Sequence, residues 1–119
     1  MNYTVGIDIE GVDRFEKLLA EGNENFFKKI FTQREIAYCN AQPTPAQHFG
    51  ARFAGKEAIV KAAAQLGITI TDMKTLEILN DNHGVPYTII KNENNITVSL
   101  SLTHTGSVAA AIVLLSHEQ

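Results

Sequence analysis

Residues 3–9 alternate between large apolar side chains and small or polar ones. This period of two predicts a β-strand, because successive side chains of a strand point to opposite faces. One face carries the apolar side chains of Tyr3, Val5, Ile7 and Ile9. The other face carries Thr4, Gly6 and Asp8.

Helix-type patterns and helix-end signals occupy residues 12–40. The first two predicted helices cover residues 12–20, ending near Gly22, and residues 25–31. Thr32 and Glu35 then match a capping box, in which each residue satisfies a backbone N–H of the other. This motif predicts a third helix over residues 33–40.

A long alanine-rich stretch follows the loop at residues 42–45 and predicts the central element of the fold. Thr44 can cap this helix, Pro45 suits its first turn, and Gln47 sits at the capping-box position. The helix is expected to run to Leu66, because Gly67 is placed to end it.

The remaining residues predict β-strands. Residues 74–79 and 86–90 flank a stretch rich in Asn, Asp and Gly, which favours a hairpin turn at residues 80–84. Residues 96–102 alternate, and the apolar run 108–115 supplies the last strand. We therefore expect one α+β domain over residues 1–119, with an antiparallel sheet packed with the long helix and shorter N-terminal helices.

Amino-acid composition and net charge limit the classes of protein to which the chain can belong. With 45% hydrophobic and 19% charged residues, the 119-residue chain is typical of a globular protein, and no run is long enough to span a membrane. The single cysteine, Cys39, cannot form an internal disulfide, which favours a reducing cytoplasm. The net charge of −3 argues against nucleic acid as a partner. Eight of the ten Lys and Arg residues lie within residues 1–61.

Two segments carry carboxylates whose positions need explaining. Asp8, followed by Glu10, lies inside an apolar strand, where Asp is disfavoured; it is either a ligand for a hard metal or catalytic carboxylate, or an exposed side chain on a solvent-facing surface. On the long helix, Glu57 and Lys61 lie four residues apart. They form either a solvated ion pair or a site in which the carboxylate binds Mg²⁺ while Arg and Lys side chains hold phosphates.

A third candidate is the turn at residues 101–107, which gathers hydroxyl groups, glycine and His104 between two strands. It suits an anion, or it is an ordinary turn with a surface histidine. It does not match a Ser/His/Asp triad. His48, His83 and His117 are interpreted as surface or terminal residues, and Cys39 as an incidental thiol.

The order of these motifs resembles one family. The sequence reads GID at residues 6–8, FAGKEAIVKA at 53–62, DNHGVPY at 81–87 and SLTHT at 101–105. Together they are similar to the holo-acyl-carrier-protein synthases, the short bacterial-type 4′-phosphopantetheinyl transferases. The resemblance extends over essentially the whole chain.

This resemblance implies that the chain transfers the phosphopantetheine arm of coenzyme A to a serine of an acyl carrier protein. It implies Mg²⁺ as cofactor, adenosine 3′,5′-bisphosphate as product, and a cytoplasmic homotrimer, active in lipid metabolism, with active sites between subunits. By position, Asp8 and Glu57 match the metal-binding acids, and Glu57 and Lys61 the catalytic pair. Lys61 also belongs to the residues expected to bind coenzyme A, with Arg52, His104 and Thr105. The basic residues expected to dock the carrier protein are Arg14, Lys17, Lys28 and Lys29.

One segment departs from the family pattern. Where relatives commonly have a Gly-Thr-Gly-like turn, residues 63–67 read AAQLG. This departure supports an alternative from another functional class, a non-catalytic module that binds coenzyme A or a nucleotide with the same fold. The presence of Asp8, Glu57 and Lys61 argues against this non-catalytic module, because a protein that only binds has no need of carboxylates beside phosphates.

Overall fold

The computed structural model describes residues 2–90 and 95–118. Within these ranges it combines a three-stranded antiparallel sheet, a two-stranded hairpin and four α-helices, as expected for an α+β fold. The strands are β1 (Asn2–Gly11), β2 (Ile78–Asn80), β3 (Pro86–Thr88), β4 (Ile96–His104) and β5 (Val108–His117). The α-helices are α1 (Val12–Ala20), α2 (Glu24–Ile30), α3 (Gln33–Asn40) and α4 (Pro45–Ala64).

Helix α4 packs across one face of the sheet, whose strand order is β1-β5-β4. Ala54, Ala58 and Ala62 recur every fourth residue on α4 and are fully buried. Their small side chains allow the helix to approach the sheet closely. A hydrogen bond joins the helix to the sheet here, because the Thr4 hydroxyl of β1 donates to the Ala62 carbonyl at 2.8 Å.

Strand β1 buries the face that its sequence pattern would have placed in solvent. The side carrying Thr4, Gly6 and Asp8 lies against α4, where Thr4 and Gly6 are buried and Asp8 is partly buried. The apolar side chains on the other face are 50% to 67% exposed: Tyr3, Val5, Ile7 and Ile9. The interpretation of Asp8 as a side chain on a solvent-facing surface is therefore wrong.

Gly6 makes this arrangement possible. A Cβ atom at this position would lie 1.8 Å from the carbonyl oxygen of Ala58, far closer than any van der Waals contact. The obstacle is helix backbone, which cannot move aside as a flexible side chain can. Glycine therefore sets the separation between β1, which carries Asp8, and α4, which carries Glu57.

Replacing Gly6 with alanine is expected to lower the free energy of unfolding by about 3 kcal/mol, the upper end of the usual cost of overpacking. Urea denaturation of Gly6→Ala would measure the change. The matched control is Gly106→Ala, because a Cβ there meets nothing within 4 Å. Equal stability of the two variants would contradict the close approach of β1 to α4.

The helices form close to the predicted bounds, although α4 ends at Ala64 rather than at Leu66 and one predicted cap is not made. The capping box of α3 is present, with Thr32 and Glu35 each accepting a hydrogen bond from the other's backbone N–H. Thr44, in contrast, makes no side-chain cap within the described structure. The Gln47 side chain donates to the carbonyl of Thr105 instead, which ties the start of α4 to the β4–β5 turn.

The predicted strand at residues 74–79 is wrong in its first half. Met73–Leu76 form a 3-10 helix, started by the Asp72 side chain, which accepts a hydrogen bond from the Lys74 N–H. Only residues 78–80 pair as β2 with β3. The hairpin turn itself is as predicted, with Gly84 at a φ of 79° and the Asp81 carboxylate accepting from two backbone N–H groups.

The helical layer contains an aromatic core and a buried ion pair. All six phenylalanines form one aromatic cluster among α1, α2, α3 and the first half of α4: Phe15, Phe26, Phe27, Phe31, Phe49 and Phe53. Beside it lies a fully buried ion pair, with the Lys56 ammonium 2.7 Å from the Glu35 carboxylate. Glu35 also accepts from the Ile78 N–H, and Lys56 also donates to the Met73 carbonyl. The pair thus joins α3, α4, the 3-10 helix and β2.

Candidate active site

An acidic group lies where β1 faces the middle of α4. The Lys61 ammonium donates to Asp8 Oδ1 at 3.1 Å and to the Ile7 carbonyl at 2.9 Å. Glu57 lies one helical turn before Lys61 and is partly buried. Asp8 Oδ2 is buried and has no hydrogen-bond partner among the described residues. Lys61 therefore bonds to β1 rather than forming an isolated ion pair with Glu57 on a solvated face.

Glu10, two residues after Asp8 on β1, is a third acid of this group, and the sequence predicted no role for it. Burial, followed by interaction with the neighbouring Asp8 carboxylate, raises the pKa of Glu10 to about 7. Glu57 raises it further, and Arg14, whose guanidinium lies 3.2 Å from Glu10, lowers it. Carboxylates of β1 and of α4 thus both act on Glu10. The period-two spacing of Asp8 and Glu10 is the signal that could have paired them.

These residues fit a hard divalent cation. The buried, unpartnered oxygen of Asp8 and the acids around it favour a positive charge. Among the described residues no group of three His, Cys, Asp or Glu side chains is arranged to hold a metal by itself. Mg²⁺ does not require one, because it takes one or two protein carboxylates and completes its shell with phosphate oxygens and water.

A basic and aromatic group lies along the first half of α4. Arg52 is 3% exposed, its guanidinium stacks 4.2 Å from the centre of the Tyr38 ring, and it donates to the side-chain oxygen of Asn80. Its Nε is buried and unpartnered within the described structure. His104, at the end of β4, is exposed and meets the His48 ring edge-to-face at 5.3 Å.

Thr105 begins the turn after His104. Its hydroxyl accepts from the backbone N–H groups of Ser107 and Val108, and its carbonyl accepts from Gln47. The turn is thereby fixed against the first turns of α4, so that His104 and Thr105 face outward beside His48.

The sequence matches the family model for the 4′-phosphopantetheinyl transferase superfamily over residues 4–113. The chain belongs to this superfamily. The resemblance inferred from the sequence motifs is thus confirmed. The chain is 37% identical to the holo-[acyl-carrier-protein] synthase of Syntrophus aciditrophicus (strain SB), over 97% of this chain and 96% of the relative. It is also 37% identical to that of Wolbachia pipientis wMel, over 97% and 94%.

Solved structures of synthases in this superfamily share the fold. The holo-(acyl-carrier-protein) synthase of Bacillus anthracis str. Ames, in complex with CoA (3′,5′-ADP), superposes with a TM-score of 0.80 at 31% identity, covering 97% of this chain and 96% of that one. The ACPS-CoA complex of Chronobacterium ammoniagenes has a TM-score of 0.85 at 24% identity and full coverage of both chains. The predicted α+β transferase fold is confirmed.

The two groups of site residues point in opposite directions from α4 of this phosphopantetheinyl transferase. At about 100° per residue, Arg52 is turned about 140° from Glu57 and about 180° from Lys61 around the helix axis. The contacts agree, because Lys61 reaches β1 whereas Arg52 reaches α3 and β2. The predicted residues therefore form two separate half-sites on one chain rather than a single pocket.

The four basic residues expected to meet the carrier protein have different surroundings. Arg14 is half exposed, but its guanidinium is bound to Glu10 and lies within 6 Å of three phenylalanine rings. Lys17, Lys28 and Lys29 are exposed on α1 and α2. Lys28 also lines a groove of about 690 Å³ between α2, α3 and the 3-10 helix, with apolar walls that include Phe31 and Ile36.

Within the described ranges, the structure has no helix of sufficient length and apolarity to cross a membrane.

Proposed function

We propose that the chain, as a single transferase domain over residues 1–119, transfers phosphopantetheine from coenzyme A to a serine of apo-acyl carrier protein, at active sites completed by two subunits. The reaction is the one named by its close relatives. The observation that carries the proposal is the group formed by Asp8, Glu57 and Lys61, in which acids that would bind Mg²⁺ lie beside a lysine that would meet a diphosphate.

Each residue of this group has a chemical task. Asp8 and Glu57 would hold Mg²⁺, with Glu10 beside them, and the bound ion would neutralise the charge on the diphosphate oxygens. The Lys61 ammonium adds a second positive charge. Glu57 accepts the proton of the carrier serine as its oxygen attacks the phosphorus on the pantetheine side. That P–O bond forms while the bond to the bridging oxygen breaks, releasing adenosine 3′,5′-bisphosphate.

On the opposite side of α4, Arg52, His104 and Thr105 would bind the nucleotide end of coenzyme A. Arginine and imidazole suit phosphate, because both donate hydrogen bonds. Arginine carries a positive charge, and imidazole gains one when it is protonated. Since one subunit directs these residues away from Glu57, they must meet the acids of a neighbouring subunit for both to act on one coenzyme A molecule.

An apolar surface is available for such assembly. Opposite α4, the sheet exposes six large apolar side chains: Tyr3, Val5, Ile7, Ile9, Ile112 and Leu114. The register places Val5 beside Leu114 and Ile7 beside Ile112, so the side chains form a continuous patch. Contiguous apolar patches of this kind mark interaction surfaces. They support the homotrimer that the resemblance implies.

Mixing two inactive variants tests the shared site. Glu57→Gln removes the acid side, and a double variant with Arg52→Gln and His104→Ala removes the cofactor side. In equal mixtures refolded together, about one quarter of the sites should combine both intact sides, since each comes from a separate subunit chosen at random. Transfer activity should therefore return to about a quarter of the wild-type value. Absence of recovery, in mixtures shown by light scattering to be trimers, would place the site within one subunit.

The exposed lysines provide a docking surface for an acidic carrier. Lys17, Lys28 and Lys29 lie on neighbouring helices, and the groove beside Lys28 offers apolar walls for the face of a partner helix. Arg14 belongs to the same end of the molecule, but its bond to Glu10 also links it to the acidic group. It is therefore unsuitable as a test of docking alone.

Replacing Lys17, Lys28 and Lys29 together with alanine is expected to raise the KM for the carrier about tenfold, because each exposed charge contributes roughly half a kcal/mol to attraction. The KM for coenzyme A should not change. Steady-state kinetics at low salt would measure both. The control replaces the same lysines with arginine, which keeps the charge. Equal increases in both KM values would contradict a docking role.

The cytoplasmic location and the placement in fatty-acid synthesis remain predictions from the resemblance. Finding this transferase with its carrier in the cytosolic fraction of the source cell would support the location.

A further inference from the structure

His48 is a second imidazole in the half-site of Arg52 and His104. It is the fourth residue of α4, it is half-buried, and its ring lies between the rings of Tyr38, at 5.9 Å, and His104, at 5.3 Å. Tyr38 in turn stacks on the Arg52 guanidinium. Arg52, Tyr38, His48 and His104 therefore form a continuous row from the buried interior to the exposed end of β4.

The electrostatics of this row favour an anion. Burial, followed by the charges of His104 and Arg52, lowers the pKa of His48, so the nearby groups that act on it are both basic. Arg52 adds a buried guanidinium whose Nε has no partner in the described part of the chain. An arriving anion with a high charge would offset the effect of these basic groups and favour the protonated form of His48.

Of the chemical groups on coenzyme A, the phosphate monoester fits best. Its second pKa is near 6, close to that of an imidazole, so that it carries almost two negative charges at neutral pH and can accept several hydrogen bonds. Each phosphate of the internal diphosphate carries a single charge and belongs with the Mg²⁺ side of the site. The row of imidazoles therefore suits the monoester at the nucleotide end.

We propose that His48 is a specificity-determining residue that, with His104, selects a co-substrate bearing a phosphate monoester over one that lacks it. The proposal rests on the function proposed above, because it takes coenzyme A as the bound molecule. His48 thereby has a binding task, whereas the sequence suggested only a surface position on a helix.

Calorimetric titration with coenzyme A and with dephospho-coenzyme A tests the proposal. His48→Phe keeps an aromatic ring against Tyr38 but removes both nitrogens; it should weaken coenzyme A binding roughly tenfold, the effect of losing one charge-assisted hydrogen bond. Binding of dephospho-coenzyme A should not change. His48→Gln, which retains a donor without the charge, should fall between Phe and wild type. The control is His117→Phe, at the opposite end of β5, which should bind both compounds as the wild type does.

The outcomes separate the two proposals. Weakening confined to coenzyme A, in a variant with wild-type thermal unfolding, supports the role of His48. Equal weakening for both compounds, or none in either variant, overturns it while leaving the transferase function intact. A wild-type protein that bound neither compound and modified no carrier would overturn the proposed function, and this inference with it.

Discussion

Glu57→Gln and Asp8→Asn are each expected to lower kcat/KM for carrier modification about a thousandfold, or about 4 kcal/mol of transition-state stabilisation. Each substitution replaces a charged carboxylate with a neutral amide of the same size in the group where β1 meets α4. Neither removes a core contact, so thermal unfolding should stay close to that of the wild type. A discontinuous assay of carrier mass at fixed Mg²⁺ and coenzyme A would measure the loss.

The control for this prediction is Glu118→Gln, which neutralises an exposed acid near the end of β5 and outside both half-sites. It should retain wild-type activity. Activity within threefold of wild type in both Glu57→Gln and Asp8→Asn would show that these carboxylates do not serve the reaction, and the assignment of the acidic half-site would have to be abandoned.

The second large effect concerns folding. Lys56→Met is expected to reduce the free energy of unfolding by about 3–5 kcal/mol, because it leaves the Glu35 carboxylate buried without its counter-charge. Both side chains are 0% exposed, and burial lowers the pKa of Lys56. The substitution should also lower transfer activity, because Lys56 precedes Glu57 and fixes α4 against α3 and β2.

Chemical denaturation distinguishes this uncompensated charge from simple loss of packing. The double variant Lys56→Met with Glu35→Gln removes both charges and should recover part of the lost stability. If Lys56→Met caused only a loss of packing, the double variant would instead be less stable than the single one. Lys17→Met, on the exposed surface of α1, serves as the matched control and should change stability by less than about 0.5 kcal/mol. A cost below about 1 kcal/mol for Lys56→Met would contradict the importance of the pair.

The strands and helices that depend on short-range signals could be predicted from the sequence. The capping box of Thr32 and Glu35, the glycine that follows α4 and the hairpin turn before β3 all act within a few residues. The face of β1 could not be predicted, because alternation tells which side chains share a face but not which face is covered. The apolar face is exposed on the single chain, and Gly6 and Asp8 turn towards α4.

In the candidate site, too, the spacing along one element could be predicted, whereas contacts between elements could not. The spacing of Glu57 and Lys61 predicts a shared face, and the structure adds Asp8 of β1 to it, 3.1 Å from Lys61. The contact between His48 and His104 could not be predicted, since it depends on packing between residues 56 positions apart in the sequence. The buried ion pair of Lys56 and Glu35 could not be predicted either, because charged residues are usually exposed.

The most direct test of the central claim is mass spectrometry of apo-acyl carrier protein incubated with the wild-type chain, coenzyme A and Mg²⁺. The carrier should gain the mass of one phosphopantetheine group on its serine, with release of adenosine 3′,5′-bisphosphate, and chelation of Mg²⁺ should prevent the gain. Tight binding of coenzyme A with no added mass on any of several bacterial carriers would contradict this claim and favour the non-catalytic module.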